Sequence, residues 1–248
     1  MILTMIILFC IAGSAVSVGL AGTVLLMKKE HLGRFTSYAV VYALGTLLGA
    51  AFFGMIPGAL ARLPYDRALM AVLGGIIGFY LLEKMTIWRH CHENDCDVHS
   101  QEGTLILIGD SLHNFVDGVA IAAAFMASIP LGIATSLAVI AHEVPQEVGD
   151  FAILIESGFS RARAFTYNLI SSLSALAGGI LTYYLIGPLQ YLVPYLLSVS
   201  AASFIYIALA DLVPARRSRD AFGNPVVETG LILLGVGTIL VVKVLLHG

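Results

Sequence analysis

This sequence is poor in charge. Of its 248 residues only 12% are Asp, Glu, Lys or Arg, about half the share usual in soluble domains. None of them occurs before Lys28. So few charges cannot cover the surface of a soluble enzyme, and a chain this apolar is not disordered. The net charge of −3 leaves no basic surface for nucleic acid. Cysteine is also scarce: Cys10, Cys91 and Cys96 are an odd number with no secreted framework, which argues against structural disulfides. Cys10 lies in an apolar run and reads as a small packing residue.

What the chain has instead is long apolar runs, with 58% of its residues hydrophobic. A membrane-spanning helix needs about 20 apolar residues. Hydropathy and helix breakers predict eight such spans, near 3–27, 36–58, 66–83, 103–128, 131–156, 164–187, 189–212 and 226–246. The expectation is an all-α polytopic membrane protein, residues 1–248 forming one transmembrane domain with a metal-ligand-rich cytoplasmic loop at 84–102. The first run lacks a basic n-region and is long for a signal peptide, so it reads as a span.

Ten of the 13 basic residues (Lys28, Lys29, Arg34, Lys84, Arg89, Arg161, Arg163, Arg216, Arg217 and Arg219) fall on the odd-numbered links. Only Arg62, Arg67 and Lys243 fall on the other side. The positive-inside rule then puts those links in the cytoplasm and both termini outside. Similar endings on opposite faces, Met55-Ile56-Pro57-Gly58-Ala59 and Leu212-Val213-Pro214-Ala215, suggest an inverted repeat. The predicted layout is three, two and three spans around central spans four and five. Gly45/Gly49, Gly54/Gly58 and Gly74/Gly78 are small-residue pairs suited to close helix packing.

Ionisable residues at membrane depth are costly and default to a functional reading. Here they concentrate in spans four (Asp110, His113, Asn114, Asp117) and five (His142, Glu143, Gln146, Glu147, Asp150). At about 100° per residue, the first four fit an arc of about 100°. On span five, Gln146, Asp150 and Glu143 fall within about 100° of His142, and Glu147 near 140°. Two facing polar stripes would form a pocket near the bilayer centre. A lone buried His is ordinarily a hydrogen-bonded structural residue. Two imidazoles with carboxylates and amides suit a divalent transition metal, although a proton relay could use the same groups. Pro145 cannot donate to the Ala141 carbonyl and so frees an acceptor beside these residues.

At this point the sequence resembles the ZIP (Zrt/Irt-like) family of divalent metal transporters, in particular its histidine-rich-loop zinc branch and bacterial relatives. The segments that carry the resemblance are His113-Asn114-Phe115-Val116-Asp117-Gly118 and the run from His142 to Leu154. Asp211 near the end of span seven adds to it. The resemblance implies a two-metal site, with His113, Asp117, His142 and Gln146 on the first ion and Asn114 and Glu143 on the second. Asp110, Glu147, Asp150 and Asp211 are further candidate ligands. It also implies zinc as the foremost substrate, with Fe, Mn and Cd as others, moved into the cytoplasm by alternating access. The metal is then cargo; no cofactor and no enzymatic activity are expected. The bilayer is the surrounding partner and a homodimer is compatible. The modest length suits a prokaryotic inner membrane. Three departures from the family's pattern stand out: Gln146 replaces a frequent His or Glu, Ala50, Gly54 and Gly58 stand where polar residues often occur, and Ala215 replaces an acid.

The link from Arg89 to His99 holds His90, Cys91, His92, Cys96 and His99 with three acids. Its cysteine spacing is not that of a zinc finger, so it reads as a flexible metal-capturing or sensing loop. Two other functions compete. An intramembrane zinc metalloprotease could use His142 and Glu143, although Gln146 breaks the His-Glu-x-x-His motif. A proton-coupled carrier of another ion could use the same acids.

Overall fold

The computed structural model describes residues 1–24, 29–90, 98–186, 188–214 and 224–247. All regular structure among them is helical. The helices are α1 (Ile2–Val24), α2 (Lys29–Ala50), α3 (Ile56–Leu60), α4 (Tyr65–His90), α5 (Val98–Ala127), α6 (Ile129–Glu156), α7 (Arg161–Ser172), α8 (Ser174–Ile186), α9 (Val193–Tyr206) and α10 (Pro225–His247). Among the described residues six stretches are long and apolar enough to cross a membrane: Ile2–Thr23, Ser37–Leu60, Tyr65–Leu82, Arg161–Ile186, Gln190–Ala210 and Pro225–Leu245. Helices α5 and α6, of 30 and 28 residues, fall on predicted spans four and five and carry the ionisable residues.

Two of the spans widen into a π-helical turn, Ala51–Met55 between α2 and α3 and Ile207–Leu212 after α9. Each turn is followed within two residues by a proline, Pro57 or Pro214. Proline has no N–H for the carbonyl four residues back, which disturbs the hydrogen-bond ladder there. For Pro57 that carbonyl belongs to Phe53, and Lys243 Nζ of α10 donates to it at 2.8 Å. Predicted span six is broken at Leu173 into α7 and α8. Ser172 donates back to the carbonyl of Leu169 at 3.4 Å, a pairing that bends helices.

The packing repeats itself. Helix α1 lies on α6 as α8 lies on α5, α2 lies on α10 as α9 lies on α4, and α2 lies on α6 as α9 lies on α5. These are the pairings expected when spans one to three exchange with six to eight and span four with five. Small residues allow the closest of them. A Cβ on Gly118 of α5 would sit 1.9 Å from the Ala175 carbonyl oxygen of α8, and one on Gly45 of α2 would sit 2.2 Å from that of Ile232 in α10. Gly74 and Gly78 of α4 do not behave as the sequence pattern suggests. Nothing lies within 4 Å of a Cβ there, and the close neighbour belongs instead to Gly75, against Ala202 of α9. Spacing of four picks out a face but not which face meets a partner.

Candidate metal site

Helices α5 and α6 form an antiparallel pair joined by Ser128 alone. Its extended backbone turns the chain, and its hydroxyl caps α6 by accepting from the Leu131 N–H at 3.3 Å. The polar stripes of the two helices therefore face each other along their length. His142, Glu143 and Glu147 rank among the largest fully buried side chains of the molecule.

His142 is the best anchored of these residues. Its Nδ1 lies 3.0 Å from the Ala138 carbonyl, which can only accept. That hydrogen bond puts a proton on Nδ1, so in the neutral imidazole Nε2 is the nitrogen left to bind a cation. Around this Nε2 stand Asp117 Oδ2 at 3.0 Å, His113 Nε2 at 3.2 Å and Glu143 Oε1 at 3.3 Å. His113 Nε2 is in turn 3.5 Å from Asp117 Oδ2 and 3.3 Å from Glu143 Oε1. Donor atoms of all four residues lie within 4.8 Å of one another. Glu143 Oε1 is near both imidazoles yet accepts no hydrogen bond of adequate geometry, and neither do Glu143 Oε2 and Asp117 Oδ1. Buried lone pairs that converge without donors need a proton or a cation among them. Phe204 of α9 closes one side, its ring 5.9 Å from that of His142.

The other predicted residues occupy three kinds of place. Asn114 lies beside the cluster, but its Nδ2 donates to the Asp110 carbonyl at 3.1 Å and to Asp110 Oδ1 at 2.8 Å. Asp110 and Glu147, with Glu143, form a second group of carboxylates within 4.8 Å of one another. Gln146 and Asp150 are half-buried on α6. Asp211 lies in the second π-helical turn; its side chain is outside the described residues. Cys91, His92, Cys96 and Ala215 also lie outside them, as do the side chains of His90 and His99.

Two residues of α7 went unnoticed in the sequence. Ser171 donates its hydroxyl to Asp110 Oδ2, and Asn168 Nδ2 donates to the Glu147 carbonyl at 3.3 Å. Both are buried. Their three-residue spacing on a helix was the available signal, but nothing in it says that α7 packs against α5 and α6.

A cavity of about 200 Å³ is lined by Gly54, Gly58, Leu131, Ala134 and Lys243 among others. Leu131 precedes His142 by eleven residues on α6, roughly 16 Å along the helix axis. The cavity thus lies toward the α6 N-terminus. Gly54 and Gly58, two of the positions where the family often has polar residues, leave its wall largely apolar.

A family model described as "ZIP Zinc transporter" matches residues 88–243. Zinc transporter ZIP10 of Danio rerio is 37% identical over 147 residues, 56% of this chain and 17% of that protein. Zinc transporter foi of Drosophila melanogaster is 42% identical over 152 residues, covering 58% and 21%. Zinc transporter ZIP4 of Mus musculus is 46% identical over 111 residues, covering 45% and 17%. The matched part of this chain spans about a fifth of the length of these relatives. The family match covers more than half of the chain and both helices of the site: the protein belongs to the ZIP zinc transporter family.

Proposed function

We propose that this chain carries divalent transition metal ions across a membrane, with zinc as the main substrate. The observation that carries the reading is the convergence of His113, Asp117, His142 and Glu143 in mid-helix, with His142 anchored through Nδ1 so that Nε2 faces the cluster. Two imidazoles and two carboxylates are a donor set for Zn, and for Fe, Cd or Mn less selectively. The carboxylates offset the charge of a divalent ion that would otherwise be prohibitive in the bilayer.

In this reading α5 and α6 are the two polar spans of an eight-span bundle, with both termini outside. Metal enters from the apolar cavity near Gly54 and Gly58 and leaves toward the cytoplasm as the two repeats alternate. Gln146 adds a neutral oxygen near the first site and so weakens its hold on zinc. Residues 90–99 receive or sense metal after release. Assembly as a homodimer in a prokaryotic inner membrane is compatible with this arrangement. The protease alternative needs its second imidazole at position 146, whereas here it comes from His113 on the other helix.

The test is purified protein in liposomes, comparing entry of Zn, Cd, Fe and Mn for the wild type and His113→Ala. Zinc flux that collapses in the variant is the expected result. Absence of all four fluxes from folded wild type would overturn the reading. Deleting residues 90–99 should leave metal binding at the central site unchanged; loss of that binding would show that the loop is part of the site.

A further inference from the structure

Ten of the 13 basic residues lie on the odd-numbered links, and two of the remaining three are gathered in one place. Arg62 and Arg67 line a single cavity of about 430 Å³, together with Gln190, Tyr191 and Tyr195. Arg62 comes from the link before α4 and Arg67 from its first turn. Tyr191 comes from the 3₁₀ turn Gln190–Leu192 and Tyr195 from the first turn of α9. Helices α4 and α9 run side by side in the same direction, Gly75 against Ala202 and Phe79 beside Tyr206. The cavity sits where these two helices begin.

Its depth follows from the apolar stretches around it. Ser37–Leu60 ends two residues before Arg62, Tyr65–Leu82 begins two residues before Arg67, and Gln190–Ala210 begins one residue before Tyr191. At 1.5 Å per helical residue these offsets are about 3 Å or less. The cavity is therefore level with the boundary between hydrocarbon and headgroups, where tyrosine is enriched. Tyr65 and Tyr191 are 74% and 67% exposed at this level. Further along, α4 exposes Leu69, Met70 and Leu73, and α9 exposes Val199.

The arginines lack an acidic partner. Among the described residues no carboxylate forms an ion pair with either guanidinium. Asp66 adjoins Arg67 in sequence but does not line the cavity. Arg62 Nη2 donates to the Ala127 carbonyl at the end of α5, at 3.0 Å. That bond fixes the guanidinium and leaves the rest of its fork for a ligand. Guanidinium forks match the oxygens of a phosphate, and tyrosine hydroxyls can donate beside them.

We propose that this cavity binds the headgroup phosphate of an anionic phospholipid. Arg62 and Arg67 donate to the phosphate oxygens, Tyr191 and Tyr195 donate from the α9 side, and the acyl chains lie along the exposed apolar residues of α4 and α9. The chains add buried apolar area that inorganic phosphate lacks, so the lipid is the better ligand. Through Arg62 the headgroup is also tied to the end of α5. The site is separate from the imidazole cluster and does not rest on the transport reading.

The experiment titrates the full-length protein in detergent with phosphatidylglycerol and reads the retained lipid by native mass spectrometry. The wild type should retain one phosphatidylglycerol above the background of loosely bound lipid. Arg67→Gln breaks no contact within the protein and should weaken that retention about tenfold. The double variant Arg62→Gln/Arg67→Gln should weaken it about 100-fold, one decade for each charged donor. Arg161→Gln, an exposed arginine at the start of α7 on the opposite face, should leave it unchanged. Phosphatidylcholine, whose headgroup carries no net charge, should bind at least about tenfold more weakly. Inorganic phosphate in large excess should not displace the lipid. Retention that is absent in the wild type, or indifferent to Arg67→Gln, overturns the proposal. An equal loss in Arg161→Gln also overturns it, by showing diffuse attraction to charge. Displacement by inorganic phosphate, or equal binding of phosphatidylcholine, overturns the assignment to an anionic lipid. If the double variant does not fold, Arg67→Gln alone decides.

Discussion

Helices α5 and α6 and helices α4 and α10 solve opposite problems. The apolar stretches of α4 and α10 are each only 11% buried inside the protein, and they present Leu69, Leu73, Ile77, Leu233 and Val244 outward. Helices α5 and α6 carry the acids and histidines, and most of those groups are withdrawn from the surface. In water the more polar helices would lie outside. In a bilayer the sense is reversed, because lipid accepts apolar side chains at no cost and a buried charge only with partners. Exposed apolar side chains therefore mark the lipid-facing wall, and buried ionisable groups mark the site.

That contrast can be broken or sharpened by substitution. The largest effect is expected at the site. His142→Ala removes the anchored imidazole and should lower zinc flux into liposomes by more than about 100-fold, beyond the range of outer-shell changes. Retained flux would mean that the buried stripe is structural. Next comes the backbone contact between α5 and α8. Gly118→Ala forces a methyl group against the Ala175 carbonyl and should cost about 3 kcal/mol, the upper end of overpacking. Thermal unfolding in detergent measures it, and an unchanged midpoint would show that the contact is not tight.

Gln146→His should strengthen zinc binding by roughly tenfold, equivalent to about 1.4 kcal/mol. Competition against a chelating dye reads the change, and no gain would place position 146 away from the ion. Lys243→Met leaves the Phe53 carbonyl without that donor and should destabilise by roughly 0.6 kcal/mol, the mean for polar contacts in membranes. The smallest effect belongs to the wall. Gly74→Ala meets nothing and should change stability by less than about 0.5 kcal/mol. A loss comparable with that of Gly118→Ala would reveal an unseen partner on α4.

Much of this was legible before any coordinates. The described part of each predicted segment is largely helical, and six of the segments fall on stretches long and apolar enough to cross a membrane, because runs of about 20 apolar residues have few alternatives in lipid. The stripes on α5 and α6 were legible because 3.6-residue periodicity is a local property. The partition of ligands was less so. The resemblance puts Glu143 on a second ion, and the wheel does not show that it also stands within 3.3 Å of both imidazoles. Nor does it show that Asn114 donates through Nδ2 to Asp110, which leaves its Oδ1 for a ligand role. Angles on a helical wheel give directions, whereas the pairing of donor with acceptor depends on the axial offset between two helices.

By itself, then, the sequence determined the membrane class, the helices, and the two that bear the polar groups. Those features arise from composition and from spacing along one helix. Only the tertiary structure decided that Glu143 joins the imidazoles, that Asp110 and Glu147 meet it on the other side, and that α7 brings Ser171 and Asn168 to them. Each of those facts depends on how far one helix slides against another. For α8 against α5 that offset is fixed by the backbone approaches at Gly118 and Gly178, which local pattern does not encode.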